Sequence, residues 1–105
     1  MKKLAILLFI ISLLALIITC KKKNSTKNYI PNCTETKSYI NDVAPLIQSN
    51  CVSCHNTYTN YTAIKTSATS IRNAIIDGSM PKNSSLTEAQ KNNIVCWIDA
   101  GAPNN

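Results

Sequence analysis

An all-α fold of about three to four helices is predicted for residues 38–105. Apolar residues recur at helical spacing in three separate stretches, and no stretch alternates apolar and polar residues as a half-buried strand would. A further observation concerns the core. From Asn28 onward the chain has 78 residues, with fourteen Leu, Ile and Val, no Phe and a single tryptophan, Trp97. So thin a core needs a staple, whether a disulfide, a metal or a bound apolar group.

The first helix is predicted in "SYINDVAPLIQSN", where Tyr39, Val43 and Ile47 share one face. Ser38 or Asp42 is its cap, and Pro45 fits if Asp42 is the effective start, because proline is tolerated in a first turn. The second lies in "TAIKTSATSIRNAIIDGS", with Ile64, Ala68, Ile71 and Ile75 forming a stripe that Gly78 ends. The third lies in "LTEAQKNNIVCWIDAGAP". There Thr87 and Gln90 form a capping box, Ile94, Trp97 and Ile98 share a face, and Gly101 and Pro103 stop the helix. "NTYTNYT" and "SMPKNSS" read as the connecting loops.

The chain opens with Lys2 and Lys3, then a run from Leu4 to Ile18 in which only Ser12 is polar. A short positive region before an apolar core is the pattern of a secretory signal, read here over residues 1–19. At 15 residues the run falls short of the ~20 that cross a bilayer. Cys20 follows in "IITC", which resembles the lipobox of bacterial lipoproteins, although Thr19 stands where that motif usually has a smaller residue. The resemblance implies lipidation at Cys20 and a protein exported to the periplasmic side of a bacterial membrane. Residues 20–37 then form a lysine-rich tether and N-terminal segment.

The formal charge of +6 arises from 11 basic and 5 acidic residues. From Asn28 onward, however, Lys37, Lys65, Arg72, Lys82 and Lys91 face Glu35, Asp42, Asp77, Glu88 and Asp99 one for one. The folded part is neutral, so the basic pI is no argument for nucleic acid. Lys21, Lys22, Lys23 and Lys27 suit a solvated tether or an anionic lipid surface.

The chemistry is concentrated in "NCVSCHN". Cys51 and Cys54 are followed at once by His55, the single histidine of the chain. If the first helix runs on through Cys51, the three side chains fall at i, i+3 and i+4 and point one way. Three chemistries use such a cluster. A thioredoxin-like Cys-x-x-Cys needs a preceding strand, which the pattern lacks. A zinc site needs a fourth ligand, for which Cys33 or Cys96 is available. Cys-x-x-Cys-His is also the attachment site of c-type haem, where both thiols add to vinyl groups and the adjacent imidazole binds iron. Haem is the favoured reading, and zinc the alternative.

A haem iron held by His55 has one more axial position. The mature chain offers no second histidine and one methionine, Met80, in "DGSMPKN". That loop is polar, a poor setting for a core methionine, and Gly78 and Pro81 shape it so that a thioether can be held toward a metal.

At this point the chain resembles the class I cytochrome c family, in particular its short single-haem lipoproteins. "VAPLIQSNCVSCH", the "MP" loop and the terminal "WIDAGAPNN" carry the resemblance, which spans about residue 38 to the end. It implies a small fold wrapped around one covalent haem c, cofactor-binding residues Cys51, Cys54, His55 and Met80, and His55 and Met80 as axial metal ligands. It implies one-electron transfer between exported redox partner proteins, with no enzymatic turnover and no small-molecule substrate. The chain departs from the family in one respect. Larger members follow the haem motif with a proline whose carbonyl takes the histidine's other ring proton, and "NTYTNYTAIK" has none. Tyr58 and Tyr61 are candidates to reach a haem propionate.

Cysteine accounting completes the expectation. With Cys20 given to lipid and Cys51 and Cys54 to haem, Cys33 and Cys96 are left, and in an oxidising compartment two remaining thiols most simply pair. The runner-up function is a haem-based binder or sensor of small ligands, which applies if Met80 leaves the sixth iron position open.

Overall fold

The computed structural model describes residues 29–105. The signal over 1–19, the lipid site Cys20 and the lysines of the tether lie outside the described residues. A π-helical turn, Tyr39–Val43, runs into α1 (Ala44–Asn50). Then come α2 (Tyr61–Thr66), α3 (Ala68–Ile76) and α4 (Glu88–Asp99). Among the described residues there is no strand, and no helix is long and apolar enough to cross a membrane.

The start of the first helix uses both predicted caps at once. Ser38 Oγ accepts from the Asn41 amide at 3.3 Å, and the Asp42 carboxylate accepts from the Ser38 amide at 2.8 Å. Such a box ordinarily spans three residues, and here it spans four. The wide π turn accounts for the extra residue, because the Ala44 amide donates to the Tyr39 carbonyl rather than to Ile40. Pro45, which has no amide to donate, then sits in the first turn of α1. Asn105 closes the same end: its side-chain oxygen accepts from the Tyr39 amide at 2.8 Å and its backbone oxygen from Ile40 at 3.1 Å.

The second predicted helix is two helices. Ser67, with φ −94° and ψ 4°, interrupts it, and its amide is shared among the carbonyls of Ala63, Ile64 and Lys65. Sharing one amide among three acceptors tightens the chain locally and bends its path. The apolar stripe survives the break, since Ile64, Ala68, Ile71 and Ile75 are all buried. In α4 the predicted capping box is present: Gln90 donates to Thr87 Oγ1 at 3.2 Å and accepts from the Thr87 amide at 2.9 Å. The far end is a Schellman motif, with Gly101 donating to Ile98 and Ala102 to Trp97, both at 2.9 Å. Gly101 has φ +93°, a conformation that favours glycine.

The core is an aromatic cluster between the π turn, α2 and α4. Trp97 is fully buried and its indole donates to the Pro103 carbonyl at 2.8 Å. Tyr39 lies 5.5 Å from Trp97 and 5.1 Å, edge to face, from Tyr61. Val43, Ile47 and Val95 fill in around them with no exposure. Arg72 on α3 clasps Asp99 on α4 through two hydrogen bonds, at 2.5 and 3.1 Å.

Residues 29–37, the N-terminal segment, are tied to the helices at Tyr29, Asn32 and Cys33. Cys33 and Cys96 are joined by a disulfide across 63 residues of sequence. Tyr29 donates its amide to Ile76 at 3.1 Å and its hydroxyl to the Asn92 side chain, which also takes the Asn32 amide at 2.9 Å. Asn92 is polar and central to this seam, and nothing in its local sequence announces it.

Candidate functional site

α1 ends at Asn50, one residue short of the run through Cys51 that the sequence suggested. The facing of the three side chains is nevertheless kept by backbone hydrogen bonds. Cys51 donates to Ile47 at 2.9 Å, and the Cys51 carbonyl then accepts from both Cys54, at 3.2 Å, and His55, at 2.8 Å. This wraps one more turn of chain beyond the helix and turns Cys51, Cys54 and His55 into a common cavity.

Met80 reaches the same cavity from a different part of the chain. α3 stops at Ile76, and Gly78, with φ +75°, reverses the backbone two residues on. The Asp77 carboxylate then accepts from the Ser79 amide at 2.8 Å, and the Met80 amide donates back to the Ala74 carbonyl at 3.2 Å. Asp77 is held below the ordinary carboxylate value by the Ser79 hydroxyl first and the Ser79 amide second. The loop is thus hung from the last turn of α3 at both Ser79 and Met80.

The cavity holds about 730 Å³, within the ~300–1,000 Å³ typical of cofactor sites. Its wall is apolar: Ile71, Ala74 and Ile75 from α3, with Leu86 from the approach to α4. Leu86, the residue before the Thr87 cap, is buried. Tyr58 also lines the cavity, and its ring lies flat on His55, with centroids 5.0 Å apart and planes 7° apart. Tyr61 does not line it. Its hydroxyl donates to the Ala102 carbonyl at 2.9 Å, inside the aromatic core.

This geometry separates the three chemistries of the motif. Cys51 and Cys54 are both free thiols, and burial pushes the Cys51 thiol up. A redox-active Cys-x-x-Cys needs the opposite shift, usually from a helix N-terminus, and Cys51 sits at a C-terminal end. Zinc loses both candidates for its fourth ligand, because Cys33 and Cys96 are spent on each other. Among the described residues no group of three or more His, Cys, Asp or Glu side chains is placed to hold a metal ion by itself. A cofactor that brings its own equatorial donors needs from the protein only a covalent hold and two axial donors. Two thiols, one imidazole and one thioether around an apolar space can supply those.

No protein-family model matches the chain, and no match is found among curated proteins or solved structures.

Proposed function

We propose that the chain is a single-haem c-type cytochrome, acting as a membrane-tethered one-electron carrier between exported redox partners. One observation carries the proposal: Cys51, Cys54 and His55 share an apolar-walled cavity with Met80, which arrives from a separate loop. Bound there, haem c supplies a one-electron iron centre.

The residues fit that group. Cys51 and Cys54 are free and within one turn, as thioether attachment to two fixed vinyl positions requires. His55 and Met80 would hold the iron, one through an imidazole nitrogen and the other through a soft thioether. Ile71, Ile75 and Leu86, all buried, would give the bound group an apolar surrounding on that side, which is one lever on the potential. The apolar face of the group would bury against that wall and supply the surface that the thin aliphatic core lacks.

The test is expression in cells competent for cytochrome c maturation. The expected product shows haem absorbance that stays with the polypeptide through denaturation and acid-acetone extraction. A polypeptide with only its bare mass would overturn the proposal.

A further inference from the structure

We propose that Tyr58 is the positioning residue of His55, fixing the imidazole plane by ring stacking. This rests on the haem reading above but concerns a residue to which that reading gives no part in holding the imidazole. Larger members of the resembled family have a proline carbonyl that takes the second ring proton of the histidine, and this sequence has no proline between His55 and Met80. Among the described residues no protein group replaces that carbonyl. Every buried side-chain nitrogen or oxygen among them has a partner, yet no side chain or carbonyl accepts from the His55 ring. Rotation of the imidazole about its bond to a metal must therefore be restrained another way.

Tyr58 supplies the restraint. Its ring lies 5.0 Å from the imidazole and within 7° of parallel, the range in which aromatic pairs attract. The phenol ring is itself fixed. The Tyr58 amide donates to the His55 carbonyl at 2.9 Å, closing a tight turn between the two residues. Gln48 of α1 donates to the Tyr58 carbonyl at 3.4 Å, and the ring is half-buried against the core. The imidazole therefore lies on a plate whose backbone is tied both to His55 itself and to the helix that leads into the motif. The stacking face also places π density beside a ligand that is more cationic when iron is ferric, which favours the ferric state.

The test compares Tyr58→Phe, Tyr58→Leu and Tyr58→Gln in the full-length protein carrying covalent haem. The ferric form is read by the paramagnetic NMR shifts of the four haem methyl groups, which report the orientation of the axial imidazole plane. Tyr58→Phe keeps the stack and should keep the wild-type shift order. Tyr58→Leu should collapse the spread among the four methyl resonances or reorder them, and should raise the midpoint potential. Tyr58→Gln, a second non-aromatic side chain of similar reach, should do the same, so that poor folding of one variant leaves the other decisive. Wild-type shift order in a folded Leu or Gln variant would overturn the inference while leaving the haem assignment intact. Wild-type protein without covalent haem would overturn both, and is recognised before any variant is made.

Discussion

The amide of Met80 donates to the carbonyl of Ala74 at 3.2 Å, so the thioether loop is suspended from the helix that forms the cavity wall. Ala74 and Ile75 line the cavity while their own carbonyls hold the turn that carries Met80. Wall and loop are one mechanical unit. A change in the end of α3 is therefore felt at Met80, and the chain's few loop-restraining contacts become testable.

Asp77 is the most accessible of them. Its carboxyl is held below the ordinary value of 3.8 by Ser79. A depressed folded value means that the stabilisation is fully present above 3.8 and is lost as pH falls through the lower, folded value. The Ser79 amide resonance should therefore titrate with a midpoint below 3.8, and the Met80 loop should loosen over the same range. Asp77→Asn should remove that titration. An unchanged midpoint in Asp77→Asn would assign the titration to another group.

The disulfide should matter far more. Cys33 and Cys96 close a loop across 63 residues, for which the chain-entropy model gives about 4 kcal/mol. Cys33→Ser with Cys96→Ala should lower stability by about that amount in chemical denaturation, with haem attachment retained. Free-thiol labelling of the denatured, unreduced wild type should modify neither residue. Labels at both positions would show two free thiols in place of the bond.

The C-terminal turn of α4 offers a backbone test. Gly101, at φ +93°, has nothing within 4 Å of where a Cβ would sit, so a substitution there meets conformational strain but no clash. Gly101→Ala should cost about 1–2 kcal/mol through the left-handed conformation alone. A loss much above that would mean that the Schellman turn gives way and takes with it the burial of Ala102 and the Pro103 carbonyl bonded to Trp97.

Legibility in the sequence followed the range of the interactions. The capping box of Thr87 and Gln90, the stripe from Ile64 to Ile75 and the stop at Gly101 are local patterns, and each has its counterpart in the structure. The π turn was not legible, because its cause is a balance between Ser38, Asp42 and Pro45 that shifts register by one residue. Nor was the break at Ser67, where no glycine or proline marks the bend. In the site, Cys51, Cys54 and His55 announced themselves by spacing, and Met80 stood out as the single methionine downstream of the opening segment. Tyr58 did not separate from Tyr61 in "NTYTNYT". Only the tertiary path shows that one faces the cavity on His55 while the other joins Tyr39 and Trp97.

The role of Met80 decides between carrier and ligand binder. A thioether is soft and neutral and favours ferrous over ferric iron, so coordination of the proposed haem iron by His55 and Met80 would raise the potential. It would also close the sixth position, which would leave small ligands little room and keep the geometry alike in both oxidation states. Met80→Ala removes the single methionine among the described residues, and no histidine besides His55 is available in the chain. The Ala74 carbonyl still receives the backbone amide at position 80, so the loop itself should persist. The variant should keep covalent haem, fall in potential, turn at least partly high-spin and bind carbon monoxide. Lys82, which also lines the cavity, is a weak substitute donor, so the spin change should be larger when Lys82→Ala is combined with Met80→Ala than in Met80→Ala alone. Ready carbon monoxide binding by the wild type, with spectrum and potential unchanged in Met80→Ala, would make Met80 a packing residue. The cavity would then belong to a haem protein that binds small ligands at an open iron.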